Sequence, residues 1–184
     1  MKFEIVPMDR AEVLRKSFIQ EFIDTASDHY KKHISALIRH EDDLFYNGYL
    51  WSCLRENGNY QKECTMEAAA EFLKDKNNVF FMWDLFSKER LSGKRFSLEY
   101  PKSTVLSMQG NLLGQRIVEE WNDEKAAWAT GFQCQGLWFP EDIYCFDESM
   151  SWYAVFTHEG WDSRTRPELA EDVYIRICFL NAPI

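Results

Sequence analysis

The strongest folding signal in the sequence lies between residues 138 and 161, where two strand-like runs flank a short polar turn. Apolar and aromatic side chains alternate between two sides over residues 143–146 and again over residues 152–157. A period of two residues is typical of β-strands, because successive side chains of a strand point to opposite faces of a sheet. Residues 147–149 supply the polar break, so the pattern predicts a β-hairpin.

Helical periodicity dominates the first half of the chain, whereas strand patterns dominate its end. The spacing of apolar residues predicts helices over 9–27, 28–40, 48–55, 65–76 and 112–131, and strands over 79–86, 95–100, 103–108 and 172–180. The last of these runs is apolar on both sides, which indicates a central strand. We therefore expect an α+β fold, a single domain of residues 1–184 with a mainly antiparallel sheet and helices packed on one face.

Composition and charge limit the class of protein. The 184 residues are 46% hydrophobic and 28% charged, which suits a folded domain. A net charge of −9 would repel a phosphate backbone, so we expect no nucleic-acid partner. No stretch approaches the ~18 apolar residues of a membrane span, and the N-terminus lacks a signal-like apolar core, so we expect a cytoplasmic protein without a membrane partner. Five widely spaced cysteines without a C-x-x-C pair predict free, mostly buried thiols, and we expect no cofactor.

The segment that follows the hairpin carries the strongest candidate for a functional site. Residues 157–162, Thr-His-Glu-Gly-Trp-Asp, follow a regular strand and enter a loop, and loops on a rigid sheet often carry binding or catalytic groups. A histidine near a carboxylate can act as a general base, although the sequence supplies no nucleophile, and a binding loop or a structural histidine are the alternatives. The candidate binding residues are Trp138, Asp142, His158, Glu159, Trp161, Asp162 and Arg164, whereas no catalytic residue or metal ligand is assigned. Trp138 and Trp161 are included because they adjoin turns, where tryptophan can anchor a partner.

Two other groups of polar residues have a simpler interpretation. His29 and His33 are four apart on a predicted helix, a spacing that can bring two imidazoles to one metal. Two lysines lie between them and the glutamate of a helical zinc protease is missing, so exposed helix histidines are expected. The run His-Glu-Asp-Asp at residues 40–43 points in several directions and is expected to be a solvated connection.

Residues 141–160 resemble a family of small uncharacterised bacterial proteins. The features shared with that family are two acidic residues before an Ile-Tyr strand, an aspartate at the turn, a tryptophan in the next strand and a Thr-His-Glu ending. The matching positions are Glu141, Asp142, Ile143, Tyr144, Asp147, Trp152, Thr157, His158 and Glu159. The resemblance implies a bacterial origin, and the family has no established activity.

Two hypotheses for the function follow from these features. The first is a non-enzymatic acidic binding protein, of the immunity type, that neutralises a basic toxin by covering it with acidic and aromatic side chains. The second is a small hydrolase or ligand-binding domain centred on His158 and Glu159. The sequence also leaves open a homo-oligomer, which would bury a contiguous apolar patch.

Overall fold

The computed structural model describes residues 3–35, 38–40, 43–45, 48–55, 62–85, 100–101, 103–130, 140, 142–171 and 173–182. The strands are β1 (Glu4–Ile5), β2 (Ile38–His40), β3 (Asp43–Phe45), β4 (Lys62–Thr65), β5 (Val79–Trp83), β6 (Leu106–Met108), β7 (Ile143–Phe146), β8 (Tyr153–Trp161) and β9 (Ile175–Asn181). The α-helices are α1 (Met8–Phe22), α2 (Met66–Leu73) and α3 (Gly110–Thr130). A π-helical turn covers Tyr30–Ile34, and a 3₁₀ turn covers Leu50–Cys53.

Seven of these strands form one sheet in the order β1-β6-β5-β7-β8-β9-β4. Every neighbouring pair in this order is antiparallel. The strands β2 and β3 pair only with each other among the described residues. The hairpin predicted from the alternating sequence is present as β7 and β8, and β9 lies inside the sheet between β8 and β4. The predicted α+β fold with an antiparallel sheet is therefore confirmed.

The helices divide between the two faces of this sheet. On one face α2 and α3 cover the alternate side chains Phe81, Trp83, Cys145, Ala154, Phe156 and Cys178. On the other face α1 covers Phe80, Met82, Tyr144, Phe146, Tyr153 and Val155. The arrangement differs from the expected packing on one face, because the central strands β5, β7 and β8 carry large apolar side chains on both sides and burying both sets removes more apolar surface from water.

Other local predictions met different outcomes. The helix predicted from Asp9 is present and buries Ala11, Leu14, Phe18 and Phe22, while Thr65 caps α2 by accepting a hydrogen bond from the Ala68 amide at 3.3 Å. The helix predicted over 28–40 is wrong at its end, where β2 forms instead, and the helix predicted over 48–55 is reduced to the 3₁₀ turn. Of the strand predicted over 95–100, residues 95–99 lie outside the described residues.

The 3₁₀ turn and the residues after it are held in place by contacts with the end of α1. Ile23 forms an isolated antiparallel bridge with Leu54. The Asp24 amide donates to the Cys53 carbonyl at 2.7 Å, and the Arg55 amide donates to the Phe22 carbonyl at 2.8 Å. The 3₁₀ turn is therefore attached to the α1 face of the sheet.

Across the described ranges, no helix combines the length and the apolar character that crossing a bilayer requires.

Candidate functional site

The site begins at an irregularity in β8. Phe156 pairs with Cys178 and Gly160 pairs with Arg176, so four residue steps along β8 face two along β9. Such a β-bulge inserts extra residues into one strand and re-aims their side chains, and bulges are frequent beside active sites. Continued alternation would turn His158 to the side of Phe156, which faces α2 and α3. The bulge instead sets the imidazole beside aromatic side chains on the α1 side.

A fully buried carboxylate holds His158 from the neighbouring strand. Asp142, directly before β7, is 0% exposed and accepts the backbone amide of His158 at 3.0 Å. Its two carboxylate oxygens also lie 3.0 and 3.1 Å from Nδ1 of the His158 ring. One carboxylate therefore pairs the His158 amide beyond the first residue of β7 and fixes the ring orientation at the same time.

Arg176 of β9 and Tyr174, directly before β9, donate hydrogen bonds to two backbone carbonyl groups of the bulge. Arg176 donates through Nε to the Thr157 carbonyl, and the Tyr174 hydroxyl donates to the His158 carbonyl at 2.6 Å. Arg176 and Tyr174 are in turn set against Trp121 of α3, at 5.4 and 6.0 Å from the indole ring. The backbone under His158 is therefore fixed from both strands that neighbour β8.

Aromatic rings surround the imidazole on the α1 side. The Tyr49 ring lies 4.7 Å from the His158 ring, and the Trp51 ring lies 5.9 Å from it with its edge towards the imidazole. Trp51 stacks between Tyr49 at 5.6 Å and Phe179 of β9 at 6.3 Å. We call residues 49–51 the aromatic arm, because this segment carries the two rings that reach His158.

A buried polar network positions the aromatic arm. Asp84, which is 0% exposed, accepts the Leu50 amide at 3.1 Å and the hydroxyl of Tyr144. The same hydroxyl accepts the Trp51 amide at 2.9 Å. Buried polar groups need such partners, since an unpaired one costs about 1–3 kcal/mol. The arm is thus connected to β5 and β7 through its backbone.

The second acidic group of the site, Glu159, lies beside the outward edge of the His158 imidazole. The His158 side chain is 22% exposed, and Nε2 lies 3.6 Å from Oε1 of Glu159, whose side chain is 57% exposed. When Nδ1 holds the proton that Asp142 accepts, Nε2 of the neutral ring is a hydrogen-bond acceptor beside a carboxylate. This pair of acceptors suits a donor that carries positive charge.

The remaining candidates are only partly brought together. Asp162 accepts the Arg164 amide at 2.9 Å and the Arg164 guanidinium at 2.8 Å, and this guanidinium lowers the pKa of Asp162 to about 2. These two residues therefore stabilise a turn, and they are not among the contacts of His158. Trp161 is half-buried, with the Arg166 guanidinium 4.7 Å from its ring centre. Trp138 lies outside the described residues.

The aromatic arm was not identified from the sequence. Tyr49 and Trp51 fall in a segment rich in aromatic residues whose spacing predicted only a helix, so no local pattern marks them as part of a site. The contact between Asp142 and His158 depends on the register of β7 with β8, and only the hairpin pairing could have indicated it. Asp142 and His158 were both candidates, but their pairing was not predicted.

Within the described part of the chain, no group of three or more His, Cys, Asp or Glu side chains could hold a metal ion. Comparison with family models, with curated proteins and with solved structures gave no match. The function is therefore argued from the site itself.

Proposed function

We propose that this chain is an acidic binding protein whose His158 site receives a positively charged side chain of a basic protein partner. The observation that carries the proposal is the buried Asp142 carboxylate, which holds His158 through its amide and its Nδ1 atom. A group fixed in this way loses little conformational freedom on binding. The site therefore offers a preorganised acceptor, with the Glu159 carboxylate beside it.

The charge of the whole chain supports a basic partner. The formal net charge is −9, and a field of one sign raises the rate at which an oppositely charged protein is encountered. Exposed carboxylates also follow α2 and its flanks at intervals of four residues, at Glu63, Glu67, Glu71 and Asp75. The long-range attraction would come from the surface, and the specific contact from the His158 site.

The proposal that this is a bacterial protein that neutralises a toxin rests on the sequence. The resemblance of residues 141–160 to small bacterial proteins supports a bacterial cytoplasmic protein, and neutralisation of a basic toxin is the role that joins an acidic surface to a single preorganised contact. In this role the protein binds without chemical turnover. The partner would be a basic enzyme whose active site contains an exposed arginine or lysine.

The test is capture of basic proteins from the host with matched charge variants. Wild type, Glu159→Gln and Glu168→Gln are immobilised and compared at low and moderate salt. Glu168 is an equally suitable exposed acid in the following loop, so both variants remove one charge. We expect wild type and Glu168→Gln to retain one basic protein, and Glu159→Gln to bind the purified partner about tenfold more weakly, which is ~1.4 kcal/mol.

Equal binding by both glutamine variants would overturn the assignment of the site, because attraction would then depend on net charge alone. Binding that does not weaken as salt rises would overturn the electrostatic part of the proposal. A titration of the purified partner by calorimetry measures both quantities.

A hydrolase is the second candidate, and one observation favours it. The contact of a buried carboxylate with Nδ1 is the arrangement that orients a catalytic histidine as a general base. Hydrolysis of a panel of esters and phosphoesters by wild type, lost by about 10²-fold or more in His158→Gln, would support this candidate. Hydrolysis unaffected by His158→Gln would exclude it.

A further inference from the structure

The segment that precedes β2 contains two histidines whose rings lie close together. His29 lies directly before the π-helical turn of residues 30–34, and His33 lies inside that turn. Their ring centres are 4.9 Å apart, and the ring planes are tilted by 44°. Within the described residues neither ring takes part in a hydrogen bond or an ion pair. Single π-helical turns are rare and often occur at functional sites.

We propose that His29 and His33 form a two-imidazole site for a divalent late first-row transition metal, namely Cu²⁺, Ni²⁺ or Zn²⁺. Imidazole nitrogen binds such a metal at about 2.0–2.1 Å, which places the centres of two rings on one metal roughly 4.5–5 Å apart. The observed 4.9 Å matches this separation. The protein therefore holds the two rings at the spacing of a chelate before any metal arrives.

Gly48 lies close against these rings. A Cβ at this position would lie 3.2 Å from Nε2 of His29 and 3.0 Å from Cβ of His33. A bound ion and its water molecules need space next to Nε2, and a side chain at position 48 would occupy that space. A side chain at position 48 would therefore crowd Nε2 of His29.

The neighbouring lysines do not face the pair directly. Lys31 and Lys32 lie between the two histidines in the sequence and therefore on other sides of the helical turn. Both are exposed, where water and salt screen their charge, and the Lys32 ammonium lies 3.7 Å from the Asp28 carboxylate. No group of three or more His, Cys, Asp or Glu side chains that could hold a metal is present among the described residues, so the proposal concerns the two histidines alone.

The metal series follows from the ligand type. Affinity for nitrogen ligands rises from Mn²⁺ to Cu²⁺ and falls again at Zn²⁺, whereas Mg²⁺ prefers oxygen. Calorimetric titration of the untagged protein with NiCl₂ and ZnCl₂ should show one site, and MgCl₂ should show none. With Cu²⁺, the electron paramagnetic resonance spectrum should show coupling to the nitrogens of two imidazoles.

Four variants separate this site from unspecific binding. His29→Gln and His33→Gln should each weaken Ni²⁺ binding about tenfold or more, or ~1.4 kcal/mol. Gly48→Ala should weaken it with both ligands retained, and Lys31→Gln, on the same turn, should bind as wild type does. Circular dichroism checks that each variant is folded. Equal Ni²⁺ affinity of wild type and both glutamine variants, or a Cu²⁺ spectrum with a single nitrogen ligand, would overturn the proposal.

Discussion

Gly160 shows how one residue controls the position of the bulge in β8. A Cβ at this position would lie 2.6 Å from both Cε1 and Oη of Tyr174, too close for any real contact. The Tyr174 ring could turn aside only by giving up its 2.6 Å hydrogen bond to the His158 carbonyl. The absence of a side chain at position 160 therefore allows Tyr174, directly before β9, to hold the bulge.

Replacement of Gly160 by alanine should destabilise the protein through Tyr174. We expect Gly160→Ala to lower the free energy of unfolding by about 1–3 kcal/mol, because extra atoms in a packed site force side chains to move. In a Tyr174→Ala background the same substitution should cost less than half as much. Urea denaturation of the four proteins of this double-mutant cycle measures the coupling, and additive effects would show that Tyr174 is not the cause.

Glu120 on α3 is a second residue whose environment changes its chemistry. Burial raises its pKa to about 7, although the nearby Arg116 guanidinium acts in the opposite direction. In the unfolded chain the ordinary value is 4.5. Between these two values the folded protein binds a proton that the unfolded chain has lost, so the contribution of Glu120 to stability falls as the pH rises from 4.5 to 7.

Glu120→Gln should remove this pH dependence. We expect the variant and wild type to be equally stable near pH 4, and the variant to be more stable by roughly 1–3 kcal/mol at pH 8. Glu63→Gln is the matched control, since the Glu63 side chain is exposed and is not among the groups that shift the pKa of Glu120. Denaturation curves across this pH range give the difference. A constant difference between Glu120→Gln and wild type would show that the burial of Glu120 does not affect its ionisation in the folded protein.

Among the elements, the hairpin of β7 and β8 could be predicted and its bulge could not. Residues 143–146 and 152–157 alternate with a period of two, and that period alone determines which side chains share a face. After residue 157 the sequence continues as His-Glu-Gly-Trp, which indicates a loop, so nothing marks the point where β8 gains residues relative to β9. Bulge position depends on cross-strand partners such as Asp142 and Arg176, which are distant in the sequence.

The segments around the aromatic arm also could not be predicted from local sequence patterns alone. The helical pattern over residues 28–40 fits a helix, yet the chain turns into β2 at Ile38, and the pattern over 48–55 yields one 3₁₀ turn. In both places tertiary contacts outweigh local preference. For the arm, those contacts are the buried Asp84 and Tyr144, which accept its backbone amides.

Tyr144→Phe should therefore release the arm. The substitution removes a donor from buried Asp84 and the acceptor of the Trp51 amide, so we expect a loss of about 2–4 kcal/mol in unfolding free energy. The nuclear magnetic resonance signals of the His158 ring should also shift, because Tyr49 and Trp51 lie close to it. Tyr153→Phe on the next strand is the control.

A Tyr153→Phe effect as large as that of Tyr144→Phe would contradict the network, since the Tyr153 hydroxyl takes no part in it. Unchanged His158 signals in a destabilised Tyr144→Phe variant would show that the arm keeps its place without the tyrosine. Either result would separate stability from the geometry of the site.

At the scale of the whole molecule, the sheet covered on both faces encloses the thiol groups. The cysteines of the described residues, Cys53, Cys64, Cys145 and Cys178, are all buried and free, in agreement with the expectation from their spacing. Burial raises the pKa of Cys64 to about 11 and that of Cys178 to about 12. The reactive thiolate form is therefore scarce in the folded protein.

These thiols should react only when the domain opens. In a Cys134→Ser background, which leaves the four described cysteines, we expect Ellman's reagent to modify them at the rate of global unfolding. In guanidinium chloride all four should react at once. Rapid reaction of a thiol under native conditions would show that one face of the sheet opens locally without unfolding of the rest.

The strand order has a consequence for synthesis on the ribosome. The strands β1 and β4 are made early, yet they form the two edges of the seven-stranded sheet, and β4 pairs with β9, which follows the other described strands in the sequence. The sheet therefore cannot grow in the order in which its strands leave the ribosome. We expect it to begin at the β7–β8 hairpin, with β4 and the α2 helix it leads into held unpaired until β9 is available, and such distant pairing is slow.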